Sequence, residues 1–232
     1  MRSIRWLSFM SLAVPARGLL AQATPPAPPR SPFAVTHVTV VDVTSGAERA
    51  DQTVLVIGDR IQRLGPAGRV RVPDAARSVD GRGAYLVPGL WDMHTHLVAF
   101  GELGMRLMIA NGVTGVRDMG GSFDRLREWR SRIAAGALIG PRVRMAGPML
   151  DDLRGIPGSP FSKVMVSTAE AARRAVDSVQ ALGVDFIKVH YVSRPVYLAI
   201  AAEARARRIP FAGHVPLDAT LEEVVRAGPR SI

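Results

Sequence analysis

From residue 84 onward, short apolar segments alternate strictly with amphipathic helical segments. Such alternation requires a parallel sheet with right-handed crossovers, and two architectures satisfy it: a (β/α)8 barrel and an open doubly wound sheet. No Gly-x-Gly-x-x-Gly follows the first strand, which weighs against the dinucleotide-binding form of the open sheet. Residues 230–232 have the pattern of a sixth strand. The five predicted units have strands at 86–96, 113–118, 142–146, 185–190 and 210–215, and helices at 102–110, 123–135, 169–182, 195–208 and 221–227.

The part of the chain before these units divides into three predicted segments. Residues 1–23 combine early arginines, a short apolar stretch and small residues near Ala23, which is the layout of a secretory signal peptide and predicts a secreted or periplasmic protein. The apolar stretch is too short for a permanent membrane anchor. Residues 24–32 form a proline-rich linker. Residues 33–84 contain β-branched runs separated by glycine-rich turns, and they predict a small β-sandwich module.

Composition limits the chemistry that any site can use. The chain has no cysteine, so a metal would be held by nitrogen and oxygen ligands. The formal charge is +10, but the arginines are scattered and no basic run is interleaved with aromatic residues, so we expect no nucleic-acid partner. Only two of the 30 basic residues are lysines, Lys163 and Lys188.

A His-x-His pair, His94 and His96, closes the first strand of the predicted barrel. Side chains alternate along a strand, so two histidines one residue apart point to the same side and make a ready pair of metal ligands. Without partners, such a pair more often satisfies only local hydrogen bonds. Partners are present at two other strand ends: Lys188 in the fourth strand, and His214 at the end of the fifth. Functional side chains gather at this end of the strands in (β/α)8 barrels.

A buried lysine beside histidine ligands has a specific chemical use. Burial lowers the pKa of its ammonium group, and the neutral amine can then add carbon dioxide to give a carbamate that bridges two cations. The alternatives for Lys188 are that it extends to the surface or pairs with Asp185. His190 lies on the same side of its strand as Lys188, where it could face the substrate or make only supporting hydrogen bonds. We expect structural roles for His37 and for Asp118, the latter as an acceptor for nearby backbone N–H groups.

Together these segments resemble the amidohydrolase superfamily, in its imidazolonepropionase-like and prolidase-like branch. The resemblance rests on residues 85–96, 112–118, 187–189 and 213–215. It implies that His94 and His96 bind one metal, that a carboxylated Lys188 bridges two divalent ions, and that His214 binds the second. Zinc is the expected metal. Imidazolonepropionase itself lacks the lysine, so Lys188 favours the binuclear, peptide-hydrolysing relatives.

The resemblance implies a metal-dependent amidohydrolase that cleaves C–N bonds of a small-molecule amide or short peptide with a metal-activated water. The family pattern continues with a histidine on strand six and a general-base aspartate on strand eight, and neither has a counterpart in the 232 residues. We therefore expect residues 85–232 to form an incomplete barrel, truncated before both groups, that is inactive as given. Two alternatives stay open: a mononuclear cyclic-amide hydrolase and a non-catalytic metal-binding remnant. The sequence fixes neither the substrate nor the oligomeric state.

Overall fold

The computed structural model of the protein describes residues 31–152 and 161–232, which form a mixed α/β structure with parallel sheets. The predicted signal peptide, and nearly all of the predicted linker, lie outside these residues. Within the described part of the chain, no helix has the length and apolar character needed to cross a membrane.

The amino-terminal sheet has five strands in the order β3-β2-β1-β4, with β5 also paired to β1. Neighbours β1–β2 and β2–β3 are antiparallel, whereas β4 and β5 run parallel to β1. Its buried apolar residues are Ala34, Val38, Val54 and Leu55. The described residues form one sheet here, so the second layer of a sandwich stays a prediction. The strands are β1 Phe33–Val41, β2 Glu48–Ile57, β3 Arg60–Pro66, β4 Arg77–Asp80 and β5 Tyr85–Leu86.

The remaining strands form two sheets, β6-β7-β8 and β10-β9-β11-β12, in which every pairing is parallel. Strands and helices alternate as predicted, except that β8, β9 and β10 follow one another with no helix between them among the described residues. The strands are β6 Leu90–Thr95, β7 Val113–Asp118, β8 Arg142–Met145, β9 Met149–Asp151, β10 Lys163–Met165, β11 Ile187–Val189 and β12 Phe211–Gly213. The helices are α1 Leu97–Ala110, α2 Phe123–Ala134, α3 Ala169–Ala181, α4 Arg194–Ala206 and α5 Leu221–Ala227.

Backbone hydrogen bonds connect the two parallel sheets and extend the second one. Asp185 N donates to Met145 O at 2.9 Å, which joins the segment before β11 to the end of β8. Beyond β12, Arg230 N donates to Phe211 O at 2.8 Å and Gly213 N to Ser231 O at 3.3 Å. Residues 230–231 thus pair with β12 in the way predicted for the start of a sixth strand.

Residues 147–163 differ from the sequence-based interpretation of a long loop. The segment contains β9, which pairs with both β10 and β11. Three residues are too few to show a strand periodicity in the sequence, and the surrounding prolines and glycines conceal them. Because β9 runs parallel to β11, its last residue, Asp151, is brought to the same edge as the end of β11.

The helices bury their apolar stripes against the sheets in two large clusters. One lies under β9 and β11 and includes Leu150, Val176, Ile187, Tyr197 and Ile200. The other lies under β7 and β8 and includes Leu97, Val116, Leu126, Trp129 and Met145. This packing fixes the strands, and it leaves their carboxyl ends as the edge at which polar side chains meet.

Candidate metal centre

The His-x-His pair lies where β6 passes into α1. The rings of His94 and His96 are 5.7 Å apart between centroids and meet edge-on. His96 Nδ1 donates to the carbonyl oxygen of Gly120 at 2.8 Å, since a carbonyl can only accept. This bond fixes the ring and leaves Nε2 as the nitrogen available to a metal, an arrangement common among metal-ligating histidines.

Asp118, the last residue of β7, holds this corner together. Its fully buried carboxylate accepts the backbone N–H of Leu97 at 2.7 Å and that of Gly120 at 3.0 Å. Burial raises the pKa of Asp118 to about 6, against the lowering effect of the two N–H groups. The prediction that Asp118 serves nearby backbone groups is confirmed, and through Gly120 it also supports the carbonyl that orients His96.

Lys188 is the central residue of β11 and has only 1% of its surface exposed. Neither structural alternative holds: the side chain does not extend to solvent, and Asp185 instead binds Arg130 and Arg144. Among the described residues, no carboxylate pairs with the Lys188 ammonium group. Burial, followed by the charge of Arg117, lowers the pKa of Lys188 to about 8.

His214 follows β12 directly and lies near both Lys188 and His94. Burial, followed by the charges of Lys188, His190 and His94, lowers the pKa of His214 to about 4. His94 shows the same direction: burial lowers its pKa most, and Lys188 comes next. At neutral pH the His214 imidazole is therefore neutral, which is the form that binds a metal. The electrostatic effects place Lys188 within range of both histidines.

His190 lies beside His214, with the two ring centroids 4.6 Å apart. Its Nδ1 donates to Asp151 Oδ2 at 3.0 Å, and Lys163 Nζ contacts the same carboxylate oxygen. The Tyr191 ring packs against the rings of His190 and His214, with centroid distances of 4.2 Å and 5.1 Å respectively. The sequence analysis missed Asp151, Lys163 and Tyr191 as members of this cluster. Two signals were available in the sequence: Asp151 directly follows the apolar pair at 149–150, and Lys163 is one of only two lysines in the chain.

Arg117 is a further residue that the sequence analysis did not single out. On β7, its Nε donates to Met93 O at 2.7 Å and its Nη1 to Ser231 Oγ at 2.8 Å. Its cation thus lies between β6 and the segment beyond β12, near Lys188. His37, in contrast, lies in the amino-terminal sheet and bonds Asp51 Oδ1 at 2.7 Å, in keeping with a structural role.

The residues present fit a metal only if Lys188 takes part. Within 31–152 and 161–232, no three His, Asp or Glu side chains are grouped as a metal site. The structure brings His94, His96, Lys188 and His214 to the carboxyl ends of the parallel strands, and Nε2 of His96 makes no hydrogen bond among the described residues. A carbamate on Lys188 would add the anionic oxygens that this donor set lacks.

Comparisons with known proteins point to one family. An imidazolonepropionase from Caulobacter vibrioides is 38% identical over 99 residues, which cover 41% of this chain and 25% of that protein. A deacetylase from Agrobacterium fabrum is 27% identical over 163 residues, covering 64% of this chain and 40% of that protein. The crystal structure of a Bifidobacterium longum protein assigned as a prolidase has a TM-score of 0.73 and 27% identity, covering 87% of this chain and 54% of that one. No family model matches the chain.

The fold and these relatives together define the class: a parallel α/β scaffold of the kind found in hydrolases of C–N bonds. Relatives named imidazolonepropionase and deacetylase, together with structural neighbours named prolidase and amidohydrolase, support an amidohydrolase superfamily member that is similar to imidazolonepropionase and prolidase. It spans 25% and 40% of the length of the two curated relatives named above.

Proposed function

We propose that this chain supplies the metal-binding part of a hydrolase that cleaves the C–N bond of a small amide or short peptide. The observation that carries the proposal is Lys188, a buried lysine with no carboxylate partner among the described residues, within electrostatic range of His94 and His214. Burying an unpaired ammonium group costs several kcal/mol, on the order of 3 or more, so a lysine at this position calls for a chemical reason.

In this proposal His94 and His96 would hold one divalent ion, His214 would hold a second, and a carboxylated Lys188 would supply anionic oxygens to the centre. When bound, such ions polarise the scissile carbonyl and acidify a water molecule. Zinc suits a donor set of imidazoles and carbamate oxygens in a chain without cysteine. Two groups of the chain have supporting roles in this proposal. The Gly120 carbonyl orients the His96 ring, and His190 offers a ring nitrogen to the substrate.

The carbamate forms by a balanced reaction. The neutral amine of Lys188 attacks the carbon of carbon dioxide, an N–C bond forms, and the amine loses one proton to solvent. A pKa of about 8 leaves a useful fraction of the amine neutral near neutral pH. The product is an anion, so it also removes the like-charge repulsion between Lys188 and Arg117.

The proposal also covers the barrel, the sandwich and the location of the protein. The two parallel sheets would be part of a (β/α)8 barrel, and the amino-terminal sheet would be part of a β-sandwich. Residues 1–23 would direct the protein to the periplasm or outside the cell, which a fusion of these residues to a reporter can test.

The proposal is tested by adding ¹³C-labelled bicarbonate and Zn²⁺ to the protein and recording its ¹³C NMR spectrum. We expect a carbamate carbonyl signal that is absent from Lys188→Ala and retained in Lys163→Ala. Two zinc ions per molecule and a carbamate support the binuclear hydrolase. One zinc ion without a carbamate would instead favour the mononuclear, imidazolonepropionase-type alternative, which the Caulobacter vibrioides relative also suggests.

The 232-residue chain itself is expected to show no amide hydrolysis. The strand-six histidine and strand-eight aspartate that the family resemblance requires have no counterpart in these residues. Removing the base or a ligand from a concerted site lowers the rate by several orders of magnitude, roughly 10⁴-fold or more. Zinc-dependent release of amine from a panel of dipeptides and N-acyl amino acids, abolished by chelation, would contradict this expectation.

A further inference from the structure

A buried carboxylate lies outside the proposed ligand set, at the end of β9. Asp151 is 0% exposed, and its Oδ2 accepts His190 Nδ1 at 3.0 Å and contacts Lys163 Nζ. A buried carboxylate is costly unless it is paired and hydrogen-bonded, and both conditions hold here. The contact to Lys163 is between opposite charges, whereas the contact to His190 is a hydrogen bond to an imidazole ring.

The backbone holds both ends of the Asp151–His190 contact. His190 N donates to Leu150 O at 2.8 Å, and Asp152 N donates to Tyr191 O at 2.7 Å. The side-chain bond is therefore flanked on each side by a bond between the same two segments. The distance and direction from the carboxylate to the imidazole are thus set by strand pairing rather than by a mobile side chain.

This contact determines which nitrogen of His190 carries the proton. An ionised carboxylate only accepts, so Nδ1 is the protonated nitrogen and Nε2 presents a lone pair. No hydrogen bond within the described residues uses Nε2. The His190 side chain is 22% exposed and its ring lies against that of His214, and Nε2 is not among the buried, unpaired polar atoms of the described residues.

We infer that Asp151, paired with Lys163, is a positioning residue that fixes His190 as the Nδ1–H tautomer, so that Nε2 accepts a hydrogen bond from an N–H group of the substrate beside His214. The part that concerns substrate rests on the proposed function. The inference assigns His190 to substrate rather than to metal, and it gives the substrate a chemical requirement: a hydrogen on the nitrogen that meets His190.

The tautomer is tested first, on the metal-free protein, by ¹⁵N NMR of labelled histidine above the ordinary pKa range of histidine. The chain has only five histidines, and His190→Asn assigns the signal. We expect a single Nδ1–H tautomer for His190. In Asp151→Ala we expect a shift toward the Nε2–H form, and no change in the matched control Asp152→Ala, which removes the adjacent exposed carboxylate. Predominant Nε2–H in the unaltered protein would overturn the inference even if Asp151→Ala fails to fold.

The substrate contact is tested with two amide probes that differ in one feature. Acetamide carries N–H groups and N,N-dimethylacetamide carries none. We expect acetamide alone to shift the Nε2 signal of His190, and the shift to be lost in Asp151→Ala; equal shifts, or none with either probe, would contradict the contact. Adding Zn²⁺ should move the signals of His94, His96 and His214, whereas a metal-bound signal for His190 Nε2 would overturn its assignment to substrate. Absence of zinc binding with the expected tautomer would count against the proposed function alone.

Discussion

Replacing Lys188 by methionine is expected to stabilise the metal-free protein at neutral pH while abolishing carbamate formation. Methionine keeps the length and volume of the side chain in its buried position on β11 and removes the unpaired charge. Burial lowers the pKa of Lys188 from 10.5 to about 8. At pH values below about 8, removing the Lys188 charge should therefore raise the free energy of unfolding by an amount on the order of 3 kcal/mol.

The pH dependence of the free energy of unfolding follows from the lowered pKa of Lys188. The folded protein binds the Lys188 proton less tightly than the unfolded chain, so between about 8 and 10.5 the unfolded state holds more protons. The free energy of unfolding should therefore rise with pH across this window, and the rise should be missing in Lys188→Met. Urea unfolding at several pH values measures it.

The other lysine is the matched control. Lys163→Met should destabilise the protein, because it removes a cation that contacts the buried Asp151 carboxylate. If both variants lose stability by similar amounts, Lys188 is not a strained, unpaired charge, and the reason for assigning it chemistry disappears.

Replacing Gly213 by alanine is expected to have the largest destabilising effect of any single change near the site. A Cβ atom there would lie 1.9 Å from the Val189 carbonyl oxygen, on the backbone of the neighbouring strand, and φ is +154°. The atom it meets is backbone, so β11 and β12 must separate, and His214 moves with its strand. We expect a loss of about 3 kcal/mol or more in the free energy of unfolding, with zinc binding lost as well.

Gly183→Ala is the control for this variant. Its φ is +83°, so alanine is strained there too, but no atom lies within 4 Å of the added Cβ. Only the backbone strain of about 1–2 kcal/mol should appear, and zinc binding should persist. If Gly213→Ala is no more destabilised than this control in urea unfolding, the close packing of β11 against β12 is not what places His214.

Local signals account for the elements that the sequence predicts well. Helix α5 begins and ends where expected, because Thr220 and Glu223 form a capping box and Gly228 ends the helix in the left-handed conformation. Helix α1 is different: it begins at Leu97, whereas the sequence pattern predicts a start at 102. The extra turn depends on Asp118, which lies 21 positions away and accepts the Leu97 N–H, and on the kink at Gly101, where φ is +66°.

The candidate site likewise contains residues that the sequence predicts and contacts that it does not. His94, His96, Lys188 and His214 are visible in the sequence because each lies in or directly after a short apolar run that is followed by a helical pattern. The Asp151–His190 contact joins residues 39 positions apart and depends on the pairing of the three-residue strand β9, which has no periodicity of its own. Arg117 likewise has a function only through partners on other strands.

A cobalt titration of the protein in bicarbonate buffer tests most directly whether three strand ends form one metal centre. The d–d absorption of Co²⁺ reports its ligands, and His94→Ala, His96→Ala, Lys188→Ala and His214→Ala are compared with the control His37→Ala. We predict that each of the first four weakens binding by about 100-fold or more at one or both ions, while His37→Ala binds like the unaltered protein. If Lys188→Ala and His214→Ala leave the cobalt spectrum and affinity unchanged, these residues do not share a metal centre with the His94–His96 pair.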